Sequence, residues 1–315
     1  MGLEVLYWLP FLERLRADLN IPPERIIPIS RGGASVWYRV PTGLELYALR
    51  ELKDIRIENR LQVSETGSLK QTHVRPFDRA ILKDAAKSLN LTRYRTVHPA
   101  WLYQTLAPFW HAQRGLNWVY PRLAFSGFAV PPLPEGVKLP ESFVAMKFYA
   151  RSTWPANPQT ATVAREIVKQ VSQAIPVVLL HTDVHADDHV DCPIPEMPNV
   201  YRLSDLSTLN PMTSLATISA VLAKAHGFVG TYGGLSHLAL RLFRPSLSVY
   251  TEWQGALLPH KHLCESLAIH AGLPYHVLKI ADIPMLQDVL PRIVTQATQA
   301  SSSPQSIAGP LVQQA

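Results

Sequence analysis

The sequence has little of what marks secreted, membrane-spanning or nucleic-acid-binding proteins. Its two cysteines, Cys192 and Cys264, are too few for a disulfide-rich fold and fit a reducing compartment. The apolar stretch at residues 3–12 is broken by Glu4 and Pro10 and is far too short to span a bilayer, so we expect no secretory leader. These absences predict a cytoplasmic protein.

Positive charge is in excess but is nowhere concentrated. The formal net charge is +6 over 315 residues, and the lysines and arginines form no block. Nucleic acid is therefore not an expected partner. The excess fits an acidic ligand or an anionic membrane surface, so peripheral association with the inner face of a membrane is an expectation.

The length suits two α/β domains, each with its own core. Residues 129–140 are rich in proline and lack periodicity, which is typical of a stiff linker. We therefore predict an amino-terminal acceptor-side domain at 1–128, the linker at 129–140 and a carboxyl-terminal nucleotide-sugar domain at 141–296. The polar segment 297–315 is expected to be disordered.

After the linker, apolar strand-like runs alternate with helical patterns across short loops. This alternation predicts a doubly wound parallel sheet. The expected helices cover residues 158–174, 211–226, 235–243 and 261–271, and strand-like runs lie between them.

The first half has a weaker pattern. Apolar residues at helical spacing over residues 5–19 predict that the chain opens with a helix, so the first strand of an α/β domain is missing or its turn is built differently. Strand signals follow at 24–30, 44–49 and 55–63, and helical ones at 76–89 and 99–110.

A glycine turn after an apolar strand is the sharpest functional signal. The backbone there can approach a diphosphate, and the free N–H groups and dipole of the next helix favour negative charge. A tight structural turn is the equally weighted alternative. The predicted donor-binding residues of this segment are Thr231, Tyr232, Gly233, Gly234, Ser236 and His237.

A second polar loop follows the strand that opens the same half. In a parallel sheet it faces the same crevice as the glycine turn, so its cations could bind phosphate. A solvated basic loop is the alternative. The predicted donor-binding residues here are Lys147, Arg151, Ser152 and Thr153, beside Tyr149 and the pair Trp154–Pro155.

Three separated motifs resemble the heptosyltransferases and related GT-B glycosyltransferases. The segment Gly234-x-x-His237-Leu238-Ala239, with Arg244–Pro245 beyond its helix, is similar to their donor-binding motif. The Trp154–Pro155 loop is similar to their tryptophan-proline loop, and the segment from Gly2 to Pro10 resembles their opening glycine-acid turn. Two positions depart from the family pattern: Tyr232 replaces an aspartate and Arg151 a lysine.

The resemblance implies two Rossmann-like domains facing a cleft, and an inverting transfer of a hexosyl or heptosyl group from a nucleoside diphosphate. Glu4 would be the catalytic base, and the acceptor a glycan or a lipid-linked molecule. Arg31, Gly32 and Gly33 would form an acceptor-side loop. No metal and no cofactor are expected, since the nucleotide sugar is itself the substrate.

Several alternatives remain open at this stage. An acid in the first turn of a helix, such as Glu4, is stabilised by the helix dipole whatever its function. A rival acid or base could come from the Arg31 loop, or be Glu65, His73, Asp78 or His98. A nucleotide-sugar epimerase or hydrolase, or a non-catalytic binding protein, would share the crevice. The His- and Asp-rich run 181–192 has metal-ligand types without a metal-binding spacing, so we expect no metal there.

Overall fold

The computed structural model describes residues 2–67, 71–125, 128–151, 153–181, 190–208, 210–252 and 257–280, with the single positions 291 and 295. Ser152, most of the His- and Asp-rich run and the predicted disordered tail at 297–315 lie outside these residues.

The described strands are β1 (Ile29–Ser30), β2 (Leu44–Glu45), β3 (Val144–Lys147), β4 (Tyr149–Ala150), β5 (Val177–Leu179), β6 (Val190–Asp191), β7 (Val200–Arg202), β8 (Phe228–Thr231), β9 (Ser246–Tyr250) and β10 (Tyr275–Lys279). The helices are α1 (Leu9–Asp18), α2 (Leu46–Leu49), α3 (Leu52–Thr66), α4 (Pro76–Ser88), α5 (Pro99–Trp110), α6 (Leu116–Val119), α7 (Pro158–Ala174), α8 (Leu203–Leu206), α9 (Ser214–Lys224), α10 (Gly234–Arg241) and α11 (Leu257–His270). A π-helical stretch, Glu4–Trp8, leads into α1, and 3₁₀ turns occupy Pro23–Arg25, Ala34–Tyr38 and Tyr120–Arg122.

Six parallel strands form the central sheet, in the order β10-β9-β8-β3-β5-β7. Counted from β3 along the chain, this is the Rossmann order 3-2-1-4-5-6. The predicted α/β fold with a parallel sheet is confirmed. The order of the strands reverses between β3 and β8, which are direct neighbours.

Local sequence explains why these elements form. The side chains at 144–146 are fully buried, as expected for a central strand of a parallel sheet covered on both faces. Helix α7 begins after Asn157, whose Oδ1 accepts the Thr160 N–H at 2.9 Å. Its apolar face, which includes Ile167 and Val171, packs in one core with the strands. In the described ranges, no helix is both long and apolar enough to cross a bilayer.

The first half of the chain is mostly helical. Its described strands, β1 and β2, are a parallel pair of two residues each, so the Rossmann-like sheet predicted for 1–128 does not form among the described residues. The reason is packing: Val5 and Leu9 lie in one core with Phe143 and Leu235 of the central domain. The amino-terminal helix therefore covers the main sheet, and the two-domain division stays a prediction.

Local predictions for the first half had mixed success. The opening helix and the helices at 76–89 and 99–110 are confirmed within a few residues. The strand signal at 55–63 was wrong, because these residues lie in α3. That helix is rich in Leu, Lys, Glu, Arg and Gln, which favour helix, and it ends at Gly67 in a left-handed conformation (φ 68°).

Candidate functional site

The candidate site lies where the order of the strands reverses. Strands β3 and β8 pair in parallel with Lys147 opposite Gly230, so the loops that follow both strands leave the same edge of the sheet. In open parallel sheets a ligand-binding crevice forms at this position. The two loops that the sequence singles out are the ones brought together here.

Gly233 is the point of closest contact between the two loops. A Cβ atom at this position would lie 2.5 Å from the Tyr149 hydroxyl and 2.8 Å from Arg151 Nη1. The Tyr149 N–H also donates to Thr231 Oγ1 at 3.2 Å, which ties the loops at their base. The absence of a side chain at Gly233 therefore lets Tyr149 and Arg151 reach the glycine turn.

Arg151 supplies a cation that forms no ion pair with any residue that the structure describes. Its backbone forms two hydrogen bonds of 2.9 Å with Trp154, which hold the loop in shape. Its Nη1 donates weakly to the Tyr149 hydroxyl at 3.4 Å, and its Nε is buried without a hydrogen-bond partner. No carboxylate of the described residues pairs with this guanidinium, so its charge is available to an anion.

Lys147, also predicted to bind the donor, is engaged inside the protein. Its Nζ lies 2.9 Å from Asp191 Oδ1 and donates to the Leu180 carbonyl at 2.9 Å. The ion pair joins β3 to β6, which runs antiparallel to β4. Lys147 thus holds the polar loop on the sheet, and of the two cations Arg151 is the one without an ion pair among the described positions.

Thr153 and Thr231 are both completely buried beside this crevice. The Thr153 carbonyl accepts the Thr251 N–H at 2.9 Å, while its hydroxyl has no hydrogen-bond partner among the described residues. A buried hydroxyl without a partner is costly. Thr153 thus places a second unsatisfied donor near Arg151.

The side chains of Ser236 and Tyr232 make contacts inside the fold and do not point into the crevice. Ser236 Oγ accepts the Gly233 N–H at 3.2 Å and donates to the Gly233 carbonyl at 2.7 Å, so it shapes the turn. Tyr232 is 1% exposed and packs into the core with Tyr7 and Cys264. Burial raises the pKa of its phenol well above the usual value. The Tyr232 N–H donates to the Val249 carbonyl at 2.9 Å, so this group too is used within the sheet.

The start of α10 is covered by the first residues of the chain. A Cβ atom at Gly2 would lie 3.1 Å from Gly234 Cα and 3.3 Å from its nitrogen. His237 Nδ1 lies 3.4 Å from the Gly2 carbonyl oxygen, and its Nε2 is buried without a partner. The sequence predicted that the start of α10 is open to a ligand. In this arrangement it is covered by Gly2, the first residue of the glycine-acid turn.

Burial also makes His237 a source of acid sensitivity. It lowers the pKa of the imidazole from 6.5 to about 4. Between those pH values the unfolded chain binds the additional proton, so the free energy of unfolding falls as pH decreases, by up to about 3 kcal/mol. We expect His237→Asn to lose less stability than the wild type between pH 7 and pH 4 in urea unfolding. The exposed His276→Asn should behave like the wild type; equal pH dependence of all three proteins would contradict this assignment.

Glu4, the predicted catalytic base, is held by a tyrosine that the sequence did not single out. The Tyr38 hydroxyl donates to Glu4 Oε1 at 2.8 Å. Burial raises the pKa of Tyr38 well above its usual value, and the nearby Glu4 raises it further, so the phenol stays a donor. Gly2 lies against Gly234, and Glu4 is within about 7 Å of Gly2 along the chain.

The backbone N–H groups of the predicted acceptor-side loop are bound by a carboxylate of the same chain. Glu45 Oε1 accepts the Gly32 N–H at 3.0 Å, and Oε2 accepts the Gly33 N–H at 2.8 Å. Both glycines have left-handed φ angles, 66° and 75°, which turn successive N–H groups toward one anion. The anion in this structure is the Glu45 carboxylate. The loop that includes Arg31 is therefore occupied by Glu45 and packs on α9 through Leu215 and Ala216.

Metal binding is not tested by this structure. The described residues contain no group of three or more His, Cys, Asp or Glu side chains suited to hold an ion. Most of the run 181–192 lies outside them, so the expected absence of a metal stays a prediction.

The glycine turn falls inside a segment that matches a known family. Residues 167–259 match glycosyltransferase family 9 (heptosyltransferase). The match covers less than a third of the chain, from within α7 to the first residues of α11. It includes Thr231–His237 and Arg244–Pro245, and it confirms the heptosyltransferase-like resemblance for this segment. Glu4 and the Lys147–Thr153 loop lie outside it.

Solved structures give a looser likeness. The E. coli heptosyltransferase WaaC with ADP is 16% identical, with 88% of this chain and 89% of that chain covered at a TM-score of 0.39. E. coli WaaC with ADP-2-deoxy-2-fluoro heptose is 17% identical, with 80% of this chain and 86% of that chain covered at a TM-score of 0.36. The glycosyltransferase SnogD from Streptomyces nogalater is 11% identical, with 93% of this chain and 91% of that chain covered at a TM-score of 0.31. No curated protein matches the chain.

Three residues of the site could not be found from the sequence alone. Tyr38 contacts Glu4, 34 positions away, and Glu45 contacts Gly32 and Gly33, 13 and 12 positions away. Only the folding of the first half brings these residues together. Asp191 was visible only as one member of the His- and Asp-rich run. For Asp191 the available signal was its place at the end of that run, where a strand could pair with β4.

Proposed function

We propose that this protein is a glycosyltransferase that takes a sugar from a nucleoside diphosphate donor bound between β3 and β8. The observation that carries the proposal is the meeting of Arg151 with the Gly233 turn at the reversal of strand order. Within the described ranges, the Arg151 guanidinium has no ionic partner and the Thr153 hydroxyl no hydrogen-bond partner, and together with a turn that has no side chain they suit a diphosphate. The family match over 167–259 supports sugar transfer as the reaction.

Arg151 is proposed to stabilise the leaving diphosphate. As the bond between the anomeric carbon and the diphosphate oxygen breaks, negative charge grows on that oxygen, and a fixed guanidinium stabilises it more than it stabilises the ground state. Lys147 contributes through its ion pair with Asp191, which keeps the loop in position. Because Thr153 is completely buried, its hydroxyl would reach a phosphate oxygen only if the loop opened.

Glu4 is proposed to act as the base on the opposite side. The acceptor hydroxyl would give its proton to the Glu4 carboxylate while its oxygen attacks the anomeric carbon. Tyr38 orients that carboxylate by donating to Oε1 and leaves Oε2 for the acceptor. One displacement from the face opposite the leaving group inverts the anomeric configuration.

Donor binding also requires a local rearrangement. Gly2 covers the Gly234 nitrogen, so the first turn of the amino-terminal helix must move before that N–H can reach a phosphate. Because Glu4 lies in the same turn, the shift that opens the donor site also repositions the base. The order of events would be donor binding first, then closure over the acceptor.

The test is acceptor-dependent release of a nucleoside diphosphate. The full chain is incubated with ADP-sugars and other nucleoside diphosphate sugars, together with a panel of oligosaccharide and glycolipid acceptors. We expect release with one donor class and a product of inverted anomeric configuration by NMR. Tight nucleoside diphosphate binding without transfer to any acceptor would instead identify a non-catalytic binding protein, and release without any acceptor would identify a hydrolase.

A further inference from the structure

A stripe of cations runs along the exposed face of α4. Arg79, Lys83 and Lys87 are all exposed and follow one another at four-residue spacing. With 3.6 residues per turn, side chains four apart lie on the same side of a helix. None of the three takes part in an ion pair with another residue in the described part of the chain. The stripe is therefore an uncompensated line of positive charge.

The acidic residues of α4 do not neutralise this stripe. Asp84 pairs with Arg50 at 2.5 Å. Asp78 accepts the Arg75 N–H at 2.7 Å and lies 3.4 Å from His98. Both carboxylates are thus used to fasten α4 to its neighbours. Beyond Asp84, the sequence contains no acidic residue from 85 to 134.

The loop that follows α4 adds both charge and apolar surface. All seven residues from 91 to 97 are exposed, and none is acidic. Leu91, Tyr94 and Val97 are 38%, 52% and 36% exposed, and Arg93 and Arg95 lie between them. Neither arginine forms an ion pair within the described ranges. Cationic and apolar side chains therefore interleave along one exposed segment.

This loop runs back beside the cationic stripe. It starts after the end of α4 and finishes at His98, whose Nε2 lies 3.4 Å from Asp78 in the first turn of the same helix. Trp101, 47% exposed, follows directly in the first turn of α5. We call the α4 stripe, the loop 91–97 and Trp101 together the basic ridge.

We propose that the basic ridge docks on an anionic lipid bilayer. The ridge carries five cations that form no ion pair with the part of the chain that the structure describes, and they match the negative surface potential of such a membrane. Exposed Tyr94 and Trp101 are of the types that settle at the level of lipid headgroups, and Leu91 and Val97 can bury apolar area there. This mixture favours a bilayer over a nucleic acid, whose phosphates need no aliphatic contact. The proposal concerns a surface apart from the sugar-transfer crevice and holds whether or not the chain transfers sugar.

The test is sedimentation of the full chain with lipid vesicles. One set contains phosphatidylcholine alone, and the other contains phosphatidylcholine with phosphatidylglycerol. We expect binding to the anionic set only, weakening as salt is raised. Changing Arg79, Lys83 and Lys87 to glutamine should weaken binding by about fivefold per cation, and so by roughly 100-fold in total.

Matched variants separate docking from misfolding and from simple net charge. A triple glutamine variant of the exposed Arg165, Lys169 and Lys224 removes the same charge from α7 and α9 and should bind nearly as the wild type does. Tyr94→Ser should weaken binding further at high salt, whereas Tyr201→Ser on β7 should not.

Three outcomes would overturn the proposal: no binding to anionic vesicles, equal loss in both triple variants, or tighter binding to an oligonucleotide through the same three cations.

Discussion

Replacing Gly233 by alanine is expected to weaken nucleoside diphosphate binding by roughly 10- to 100-fold and to lower the free energy of unfolding by about 1–3 kcal/mol. The new methyl group would meet the Tyr149 hydroxyl and Arg151 Nη1, both at the ends of flexible side chains. Those side chains must move to admit the methyl group, which displaces Arg151 from its place against the turn. Gly233 also has a φ of 158°, which residues with a Cβ atom rarely adopt, so both affinity and stability should fall. Titration calorimetry and urea unfolding measure the two separately.

Two comparisons make the Gly233 result specific. Gly115→Ala places a methyl group where nothing lies within 4 Å, so it should change neither affinity nor stability by much. Arg151→Ala should weaken binding to a similar degree, and the double variant with Gly233→Ala should be little worse than either single one, because both act on one contact. Full additivity of the two losses would show that Gly233 acts independently of Arg151.

Replacing Glu4 by glutamine is expected to lower kcat by about 10²- to 10⁴-fold with little change in the KM of the donor. The amide keeps the shape of the side chain and an oxygen that can accept from Tyr38, but it cannot take the acceptor proton. Initial rates with the donor and acceptor found in the transfer assay measure this effect. Unfolding in urea should show a loss no larger than that of an ordinary surface substitution.

Glu13→Gln provides the matched control for Glu4. Glu13 lies in α1, the helix that follows the π-helical stretch containing Glu4. It forms an ion pair with Arg16 at 2.6 Å. Its substitution should leave kcat unchanged. If Glu4→Gln retained full activity, the base would have to come from another acid, and the roles given to Glu4 and Tyr38 would both be withdrawn.

The central domain could be predicted from the sequence because its signals are local and repeated. Apolar strands followed by polar loops and amphipathic helices recur from Val144 to Lys279, and each unit independently indicates the same parallel sheet. The glycine turn and the Arg151 loop lie at the reversal of strand order because both follow strands that the pattern located correctly.

The first half was harder because its folding depends on contacts with the second. Val5 and Leu9 suggest a helix by their spacing, but only the structure shows that this helix covers the central sheet near Phe143. The short apolar run ending at Ser30 predicted a longer strand than the structure has. Only Ile29 and Ser30 form a strand within this run, because the strand it pairs with, β2, is also two residues long. Tertiary packing thus decides what local propensity leaves open.

The directions of side chains within the site were also beyond the sequence. Tyr232 and His237 lie in the predicted segment, yet both are buried, one against Cys264 and the other against Gly2. A turn of small residues fixes where the backbone passes, and the neighbouring core decides which side chains face the crevice. The same limit explains why Lys147 and Arg151, four residues apart, have different partners.

Titration calorimetry of the wild type and Arg151→Ala with a panel of nucleoside diphosphates measures whether Arg151 and the glycine turn hold the donor. We expect one ligand class to bind the wild type and Arg151→Ala to lose this binding, with its unfolding midpoint unchanged and with the exposed Arg165→Ala binding normally. Equal binding by Arg151→Ala and Arg165→Ala, or no binding by the wild type to any member of the panel, would contradict the proposed donor site.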